Sequence, residues 1–495
     1  MMLPPLTLPN PETVAFLQAI STDEEDYQAD ILQARRYNDG QQFVALTDRL
    51  REFLGGDASN DQEDWKRLRL NICRIVLTAV VDKLIVSGFD TDEQPRQEIG
   101  PNGEVRTVKP VAAYAWRLWQ ACKIDSKQRT VHQEALRDSE AFVIVDWDNT
   151  RKRPRFTPHQ RFIDQSIDSR TGADVGDGCK AYYRNDDPDQ DLLFVTKRWT
   201  EVSYPAGNRT TRQRLTVYYA DRIEKYAGFP GAWKRTVDSD TEPWPIPWLD
   251  RQGRPLGIPV AHFRSTAGME AREAWPLQNA INKALVDLMA ESDIAAFRIL
   301  AAFGWKPVDS SGAPLAIEPG TWVGSESKDG KIQEIAGADL GQFLNVIDSL
   351  MLKAAITTDT PAERFVTTRQ VSSEGTQKQQ NAPLLNKARS RQGDLGDGWE
   401  SLISIAVRLE NTFGRGGLAE DVGISTQWQP IEARDKKTQL EQAKLRKDLG
   451  MPIELVAEGL GLSPAQVDLW RAEIERRQET AAAISAPQGD GNAAA

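Results

Sequence analysis

Two segments decide the architecture: Ala274-Trp275-Pro276-Leu277-Gln278-Asn279-Ala280-Ile281-Asn282-Lys283-Ala284-Leu285-Val286-Asp287-Leu288 and Leu340-Gly341-Gln342-Phe343-Leu344-Asn345-Val346-Ile347-Asp348-Ser349-Leu350-Met351-Leu352-Lys353-Ala354. In the first, Ala274, Leu277, Ile281, Leu285 and Leu288 recur every three or four residues. Leu340, Phe343, Ile347, Leu350 and Ala354 do so in the second. Each set falls on one helical face. Between them, Ile299 to Ile335 carries the turn signals Asp309-Ser310-Ser311-Gly312, Glu318-Pro319-Gly320 and Lys328-Asp329-Gly330 with short β-prone runs, and predicts a small β-containing module. Thr357 to Gln380 is polar and predicts a loop. Leu385, Ala388, Gln392, Leu395, Trp399, Leu402, Ala406, Leu409 and Phe413 then predict a long helix. Two helices bracketing a projecting module, then a loop and a long helix, suit a building block whose projections do the work.

Around this centre the chain reads as α+β, mainly helical. Asp64 to Phe89 predicts a helix ending at Gly88, and Pro110 to Lys123 another. Phe142 to Trp147 predicts a strand. The stretch to about residue 263 reads as β, with Leu192 to Val202 and Arg214 to Lys225 as strands and Ala206-Gly207-Asn208 as a hairpin turn. Gly414 to Gly417 breaks the long helix. Glu432 to Leu449 and two short segments to Arg477 read as helical, and 480–495 as a disordered tail.

At 495 residues the chain exceeds one ordinary core, and roughly two to four domains are expected. A net charge of −11 disfavours a protein that grips nucleic acid by neutralising its phosphates. Cys73, Cys122 and Cys179 form no CxxC pattern, which predicts neither a disulfide framework nor a zinc site. No signal peptide and no membrane span are expected.

Enzymatic motifs are scarce. His132, His159 and His262 lie in no metallohydrolase or deaminase pattern and read as structural. Gly228 to Thr236 resembles a phosphate loop, but Trp233 replaces the glycine before Lys234. Asp168, Asp174, Asp177 and the group Asp186, Asp187, Asp189 and Asp191 lack EF-hand spacing and read as a solvated acidic turn. Ser325 to Lys328 matches SxxK without a companion motif. Asp448 to Val467 has a helix-turn-helix outline, yet its second helix is acidic where a DNA reader needs donors. No cofactor, metal or catalytic residue is predicted.

An ordered set of short matches resembles the portal proteins of tailed double-stranded DNA bacteriophages, of the long-tailed siphophage type. It comprises Tyr37-Asn38-Asp39-Gly40, Asn71, Val80 to Phe89, Ala115 to Trp119, Gly257 to Phe263, Leu277 to Asn282 with Asp287, Thr360-Pro361, Ser373 to Gly375, Pro383 to Lys387 and Trp399-Glu400. The resemblance implies a homo-dodecameric ring at one capsid vertex, in the virion and, during assembly, in the host cytoplasm. It implies a wing (1–266 and 378–430), stem helices (267–293 and 337–357), a clip (294–336), a tunnel loop (358–377) and a crown (431–479). Implied partners are double-stranded DNA held transiently, the terminase large subunit, the head–tail adaptor, and the major capsid and scaffolding proteins, with no membrane. Arg364, Arg369 and Lys378 are the implied DNA-facing residues; Trp305, Trp322 and Lys328 are the clip docking candidates. Gly393, Gly396 and Gly398 depart from a strong helix former, each at about 1 kcal/mol relative to alanine. The alternatives are a metal-dependent nuclease using Asp187 and Asp189, or another capsid-associated adaptor.

Overall fold

A computed structural model describes residues 11–26, 28–42, 70–99, 105–165, 175–204, 210–228, 232–296, 299–303, 331–335, 339–365 and 374–431, with scattered residues between 441 and 476. The chain divides into two compact units. One comprises Met1–Arg35, Leu77–Glu270 and Lys378–Ala495; the other comprises Arg36–Val76 and Ala271–Gln377.

In chain order the helices are α1 (Pro11–Asp26), α2 (Gln28–Asn38), α3 (Ile72–Val81), α4 (Pro110–Ala121), α5 (Ile124–Asp138), α6 (Trp275–Ala296), α7 (Leu340–Thr357) and α8 (Glu374–Phe413). The strands are β1 (Val86–Thr91), β2 (Arg96–Ile99), β3 (Val105–Val108), β4 (Glu140–Asp148), β5 (Arg153–Gln160), β6 (Ile163–Gln165), β7 (Val175–Tyr183), β8 (Leu192–Ser203), β9 (Thr210–Tyr218), β10 (Arg222–Gly228), β11 (Lys234–Arg235), β12 (Ile246–Pro247), β13 (Val260–Arg264), β14 (Ile299–Phe303), β15 (Lys331–Ile335) and β16 (Ile424–Trp428).

Among the described residues the first unit holds two larger sheets and the two-stranded pairs β1–β16 and β2–β3. Its larger, antiparallel sheet runs β11-β10-β9-β8-β7-β6, with β12 added on β10. Phe16 and Leu17 of α1 pack on one face of it, against Phe194, Leu215, Val217, Tyr226 and Trp233. The other face meets the β13-β4-β5 sheet through Cys179, Val195, Tyr218, Phe142, Ile144 and Val260. β4 is buried from Ala141 to Val145 because α5 and α8 cover its remaining side. Helix α4 begins at Pro110, whose missing N–H costs nothing in a first turn. Glu93 Oε1 accepts from the Val111 N–H of that turn, which has no partner within the helix, at 2.7 Å.

In the second unit α6 packs on α7, and the insert between them contributes the antiparallel pair β14–β15, from Ile299↔Ile335 to Phe303↔Lys331. Asp339 caps α7 by accepting from Gly341 N at 2.9 Å.

The structure corrects the local reading in four places. Val86 to Phe89 is strand, because β16 returns to pair with it, Gly88↔Gln427 and Phe89↔Thr426. Arg214 to Lys225 is two strands of a meander, turning at 219–221. The polar stretch read as loop through Gln380 is helical from Glu374. Helix α8 also runs unbroken through Gly393, Gly396 and Gly398. The glycines have a packing cause at one end of this trio: a Cβ on Gly398 would stand 2.5 Å from the Phe263 ring.

Replacing Gly398 with alanine is therefore expected to lower stability by about 1–3 kcal/mol through overpacking. Gly393→Ala, with nothing within 4 Å of the added carbon, should gain up to about 1 kcal/mol from helix propensity alone. Thermal transitions of the two variants, compared with the parent chain, should move in opposite directions.

Candidate functional site

In the second unit, the residues that carry the sequence resemblance come together at the base of α6. Tyr37 stacks on Trp275, with ring centroids 5.0 Å apart, and its hydroxyl donates to Asn279 Oδ1 at 3.0 Å. Asn71 caps α3 through Arg74 N at 3.2 Å and donates its amide to Asn38 O at 2.7 Å. Gln278 and Asn282 are fully buried one helical turn apart on α6. Gln278 Oε1 accepts from Ile72 N at 2.7 Å, Gln278 Nε2 donates to Leu70 O, and Asn282 Oδ1 accepts from Leu70 N at 3.3 Å. Two amide side chains thus replace the strand or helix partners that buried backbone groups at 70–72 would otherwise lack. The arrangement is uncharged and its function is placement: it fixes the root of α6.

At the other end of α7, Thr358 Oγ1 donates to Ala354 O at 2.7 Å, and Thr358 and Thr360 bond to each other at 3.0 Å, both buried. Asp359 between them takes a left-handed conformation, φ 50°. Pro361 then opens a 3-10 turn over Ala362–Arg364, which leaves Arg364 exposed. The segment leaves the helix through a fixed corner. Of the other DNA-facing candidates, Lys378 falls in the first turns of α8, and Arg369 lies outside the described residues. The docking candidates Trp305, Trp322 and Lys328 lie outside them as well, as does most of the helix-turn-helix outline at 448–467.

In the first unit a second polar cluster holds the corner between β13 and the end of that unit. Glu270, whose side chain is 1% exposed, receives Lys387 Nζ at 2.6 Å and Arg391 Nε at 2.9 Å. Asp394, 3.8 Å from Arg391, accepts from Thr266 N at 3.1 Å and Thr266 Oγ1 at 2.9 Å. Lys387, Arg391 and Asp394 follow at helical spacing on α8 and clamp both ends of the corner 266–270. The sequence hides this because the charges sit on the apolar face of α8, where the heptad-like reading assigns core.

None of the histidines has a catalytic setting. His132 is sealed in the core: Trp399 Nε1 donates to its Nε2 at 2.9 Å, so Nδ1 carries the proton and donates to Leu84 O at 3.1 Å. Burial pushes its pKa down to about 3. His262 lies between Tyr183, whose hydroxyl meets Nδ1 at 2.6 Å, and Glu140, 2.8 Å from Nε2. Burial opposes ionisation of Glu140, yet His262 and Arg161 together hold its carboxyl below the usual range. Burial and Glu140 push the Tyr183 phenol up to about 12, so it serves as a hydrogen-bond donor and is no activated nucleophile. Burial also pushes His159 down to about 3. Asp187 and Asp189 are occupied in their own turn, with Asp189 N bonded to Asp187 Oδ1 at 3.0 Å and Asp189 facing Arg264 at 3.3 Å. Among the described residues, no group of three or more His, Cys, Asp or Glu side chains could hold a metal ion.

The two units thus present positioning networks, a helix pair with a β-ribbon insert, and a fixed corner leading to an exposed arginine. Residues 114–480 match the family described as phage portal protein, SPP1 Gp6-like, and the chain belongs to this family of phage portal proteins. Its members are structural proteins and not enzymes. A comparison with curated proteins finds no match. No helix among the described residues is long and apolar enough to cross a membrane.

The buried His132 makes a pH prediction. Its pKa falls from 6.5 to about 3 on folding, so the unfolded chain takes up the proton first. Stability from this group is complete above about pH 6.5 and declines as pH falls toward 3, by roughly 2–3 kcal/mol at pH 4.5. The His132→Gln variant keeps a donor and an acceptor but cannot be protonated. Its melting temperature should fall less than the parent's between pH 7.5 and 4.5; equal losses would contradict this origin.

Proposed function

We propose that this portal protein assembles as a closed dodecameric ring at one capsid vertex, and that double-stranded DNA passes through its channel during packaging and ejection. In this reading 1–266 and 378–430 form the wing, 267–293 and 337–357 the stem, 294–336 the clip and 431–479 the crown. The tunnel loop is 358–377, its last residues already helical. The clip docks the terminase large subunit and afterwards the head–tail adaptor, while the major capsid and scaffolding proteins surround the ring.

The observation that carries the reading, beside the family, is the surface of α7. Leu344, Val346, Leu352 and Ile356 are 53%, 52%, 50% and 71% exposed, and Met289 of α6 is 49% exposed. A pair of helices displaying so many large apolar side chains leaves unclaimed burial energy, of order 1.5–3 kcal/mol for each side chain fully covered. Neighbouring copies of the same pair, repeated around an axis, would cover them. The net charge of −11 also fits a channel in which DNA must slide, since tight phosphate neutralisation would hold it in place.

Arg364 and Arg369 are assigned the transient phosphate contacts, with Lys378 behind them. Replacing both arginines with glutamate should reduce packaged DNA and phage yield by about tenfold or more while ring mass stays unchanged; electrostatic contacts to phosphate are strongly charge-dependent. Complementation of a portal-deficient phage, with native mass spectrometry of the variant, checks both halves. Normal yield would remove the assignment.

A further inference from the structure

The turn between β4 and β5 reads Asp148-Asn149-Thr150-Arg151-Lys152-Arg153-Pro154-Arg155, and every residue of it is described. The junction of α4 and α5 lies against it. Cys122 Sγ donates to Pro154 O at 3.4 Å, and Lys127 Nζ donates to Phe156 O at 3.1 Å. Over 123–127 and 146–155 the chain carries six cations, Lys123, Lys127, Arg151, Lys152, Arg153 and Arg155, against three carboxylates. That inverts the sign of the whole protein, whose net charge is −11. The cations also share one field: burial raises the pKa of the Cys122 thiol, and Arg153, Lys127 and Arg151 pull it back down.

The three carboxylates are already engaged. Asp148 Oδ1 accepts from Thr150 N at 2.9 Å and from Arg151 N at 3.0 Å, and its Oδ2 lies 3.7 Å from Arg151 Nη1. Asp146 lies 3.1 Å from Arg155, and Asp125 accepts from Trp119 Nε1 at 2.6 Å. Arg153 stands opposite Asp148 in the ladder, yet the side chains of Arg153, Lys152 and Lys123 form no ion pair. No nitrogen of the half-buried Arg153 is sealed from solvent, and Lys123 and Lys152 are exposed. Both lysines hold left-handed backbone, φ 54° and 51°, where glycine or asparagine is the usual occupant. Local preference is overridden twice here, each time in favour of a cation. Such departures gather at functional sites.

An anion fits this surface, and the surroundings narrow its class. A protein interface buries an apolar centre, but no large apolar side chain between Ile85 and Leu193 is exposed among the described residues. Single-stranded nucleic acid is gripped by aromatic stacking, and the same residues present no exposed aromatic ring. Guanidinium forks match phosphate oxygens two at a time. Arg153 and Arg155 leave the same side of β5 about 6.8 Å apart, close to the step between successive phosphates of one strand. We propose that the β4–β5 turn, together with Lys123, binds the phosphate backbone of double-stranded DNA at a site separate from the tunnel loop. Lys123, Lys152 and Arg153 make the direct phosphate contacts, and Arg151 and Arg155 strengthen the field around them. The turn lies in the first unit, whereas Arg364 and Arg369 lie in the second, so the site goes beyond the channel reading and does not depend on it. Neutralising about three or four phosphates keeps such binding weak and reversible.

The test is fluorescence anisotropy of the full chain with a short mixed-sequence duplex, titrated between about 50 and 200 mM salt. Lys152→Glu with Arg153→Glu should weaken binding about tenfold or more at the low-salt end. It should also make the plot of log affinity against log salt shallower by about 2. The thermal transition should stay where it is, since neither side chain packs in the core. The same loss should recur in a chain already carrying Arg364→Glu and Arg369→Glu, which separates the turn from the tunnel loop. Arg153→Lys should keep the parent slope. Unchanged affinity and slope in the glutamate pair would overturn the proposal. Polyglutamate that competes as well as duplex of equal charge would assign the turn to an acidic protein and also overturn it. Should the glutamate pair unfold the chain, Lys152→Gly with Arg153→Gln suits the left-handed turn and must show the same shallower slope. A parent of single-chain mass that keeps this binding would defeat the ring reading and leave the site standing.

Discussion

The indole of Trp399, on the long helix α8, meets Trp119 and Phe263 edge-on at 4.8 and 4.6 Å and donates its N–H to His132. Those partners come from α4, β13 and α5, elements separated from Trp399 by up to 280 residues of chain. One side chain thus ties the late helix to the early half of the first unit. Aromatic edge-to-face pairs add about 0.5–1.5 kcal/mol each beyond the area they bury. Gly398 follows from the same contact, because its missing Cβ is the space into which Phe263 fits. β16 then returns along β1 and lays Trp428 beside His132, with ring centres 5.6 Å apart. The corner clamp from Lys387, Arg391 and Asp394 lies on the same helix, about one to three turns earlier. Removing one partner of such a buried pair costs about 3–5 kcal/mol, since it strands a charge.

The two units solve placement by different means. The first uses charge and aromatic packing around α8. The second uses neutral amides, where Gln278 and Asn282 hold backbone groups at 70–72 and Tyr37 reaches Asn279. An amide network fixes geometry without the desolvation cost of buried ions. Both belong to a protein whose work is to hold a shape, which agrees with its membership of a structural family.

Much of this was legible in the sequence. Helices α6 and α7 were, because a single apolar face repeats cleanly over several turns. β4 and β8 were legible from β-branched and aromatic runs, while β9 was legible only in part, within a single run over Arg214 to Lys225 that also takes in β10. The strand at Val86 was not, because its partner β16 lies more than 300 residues away, and local periodicity favoured a helix there. Nor was Gly398 of α8, whose cause is the Phe263 ring on β13. The amides at 278 and 282 could be recognised as part of a resemblance, but their partners at 70–72 could not be read from spacing. The clamp residues were hidden in a face that otherwise reads as core. The docking candidates of the insert fall outside the described residues, whereas the exposed Arg364 and the apolar surface of α7 lie within them.

The central claim is self-assembly, and the mass and image of the purified full-length chain test it most directly. Mass photometry with negative-stain imaging should show a closed ring of about a dozen copies around a central pore, as a repeating heterologous contact requires. A species of single-chain mass that persists at high protein concentration, and in the presence of the phage's capsid and scaffolding proteins, would contradict the account.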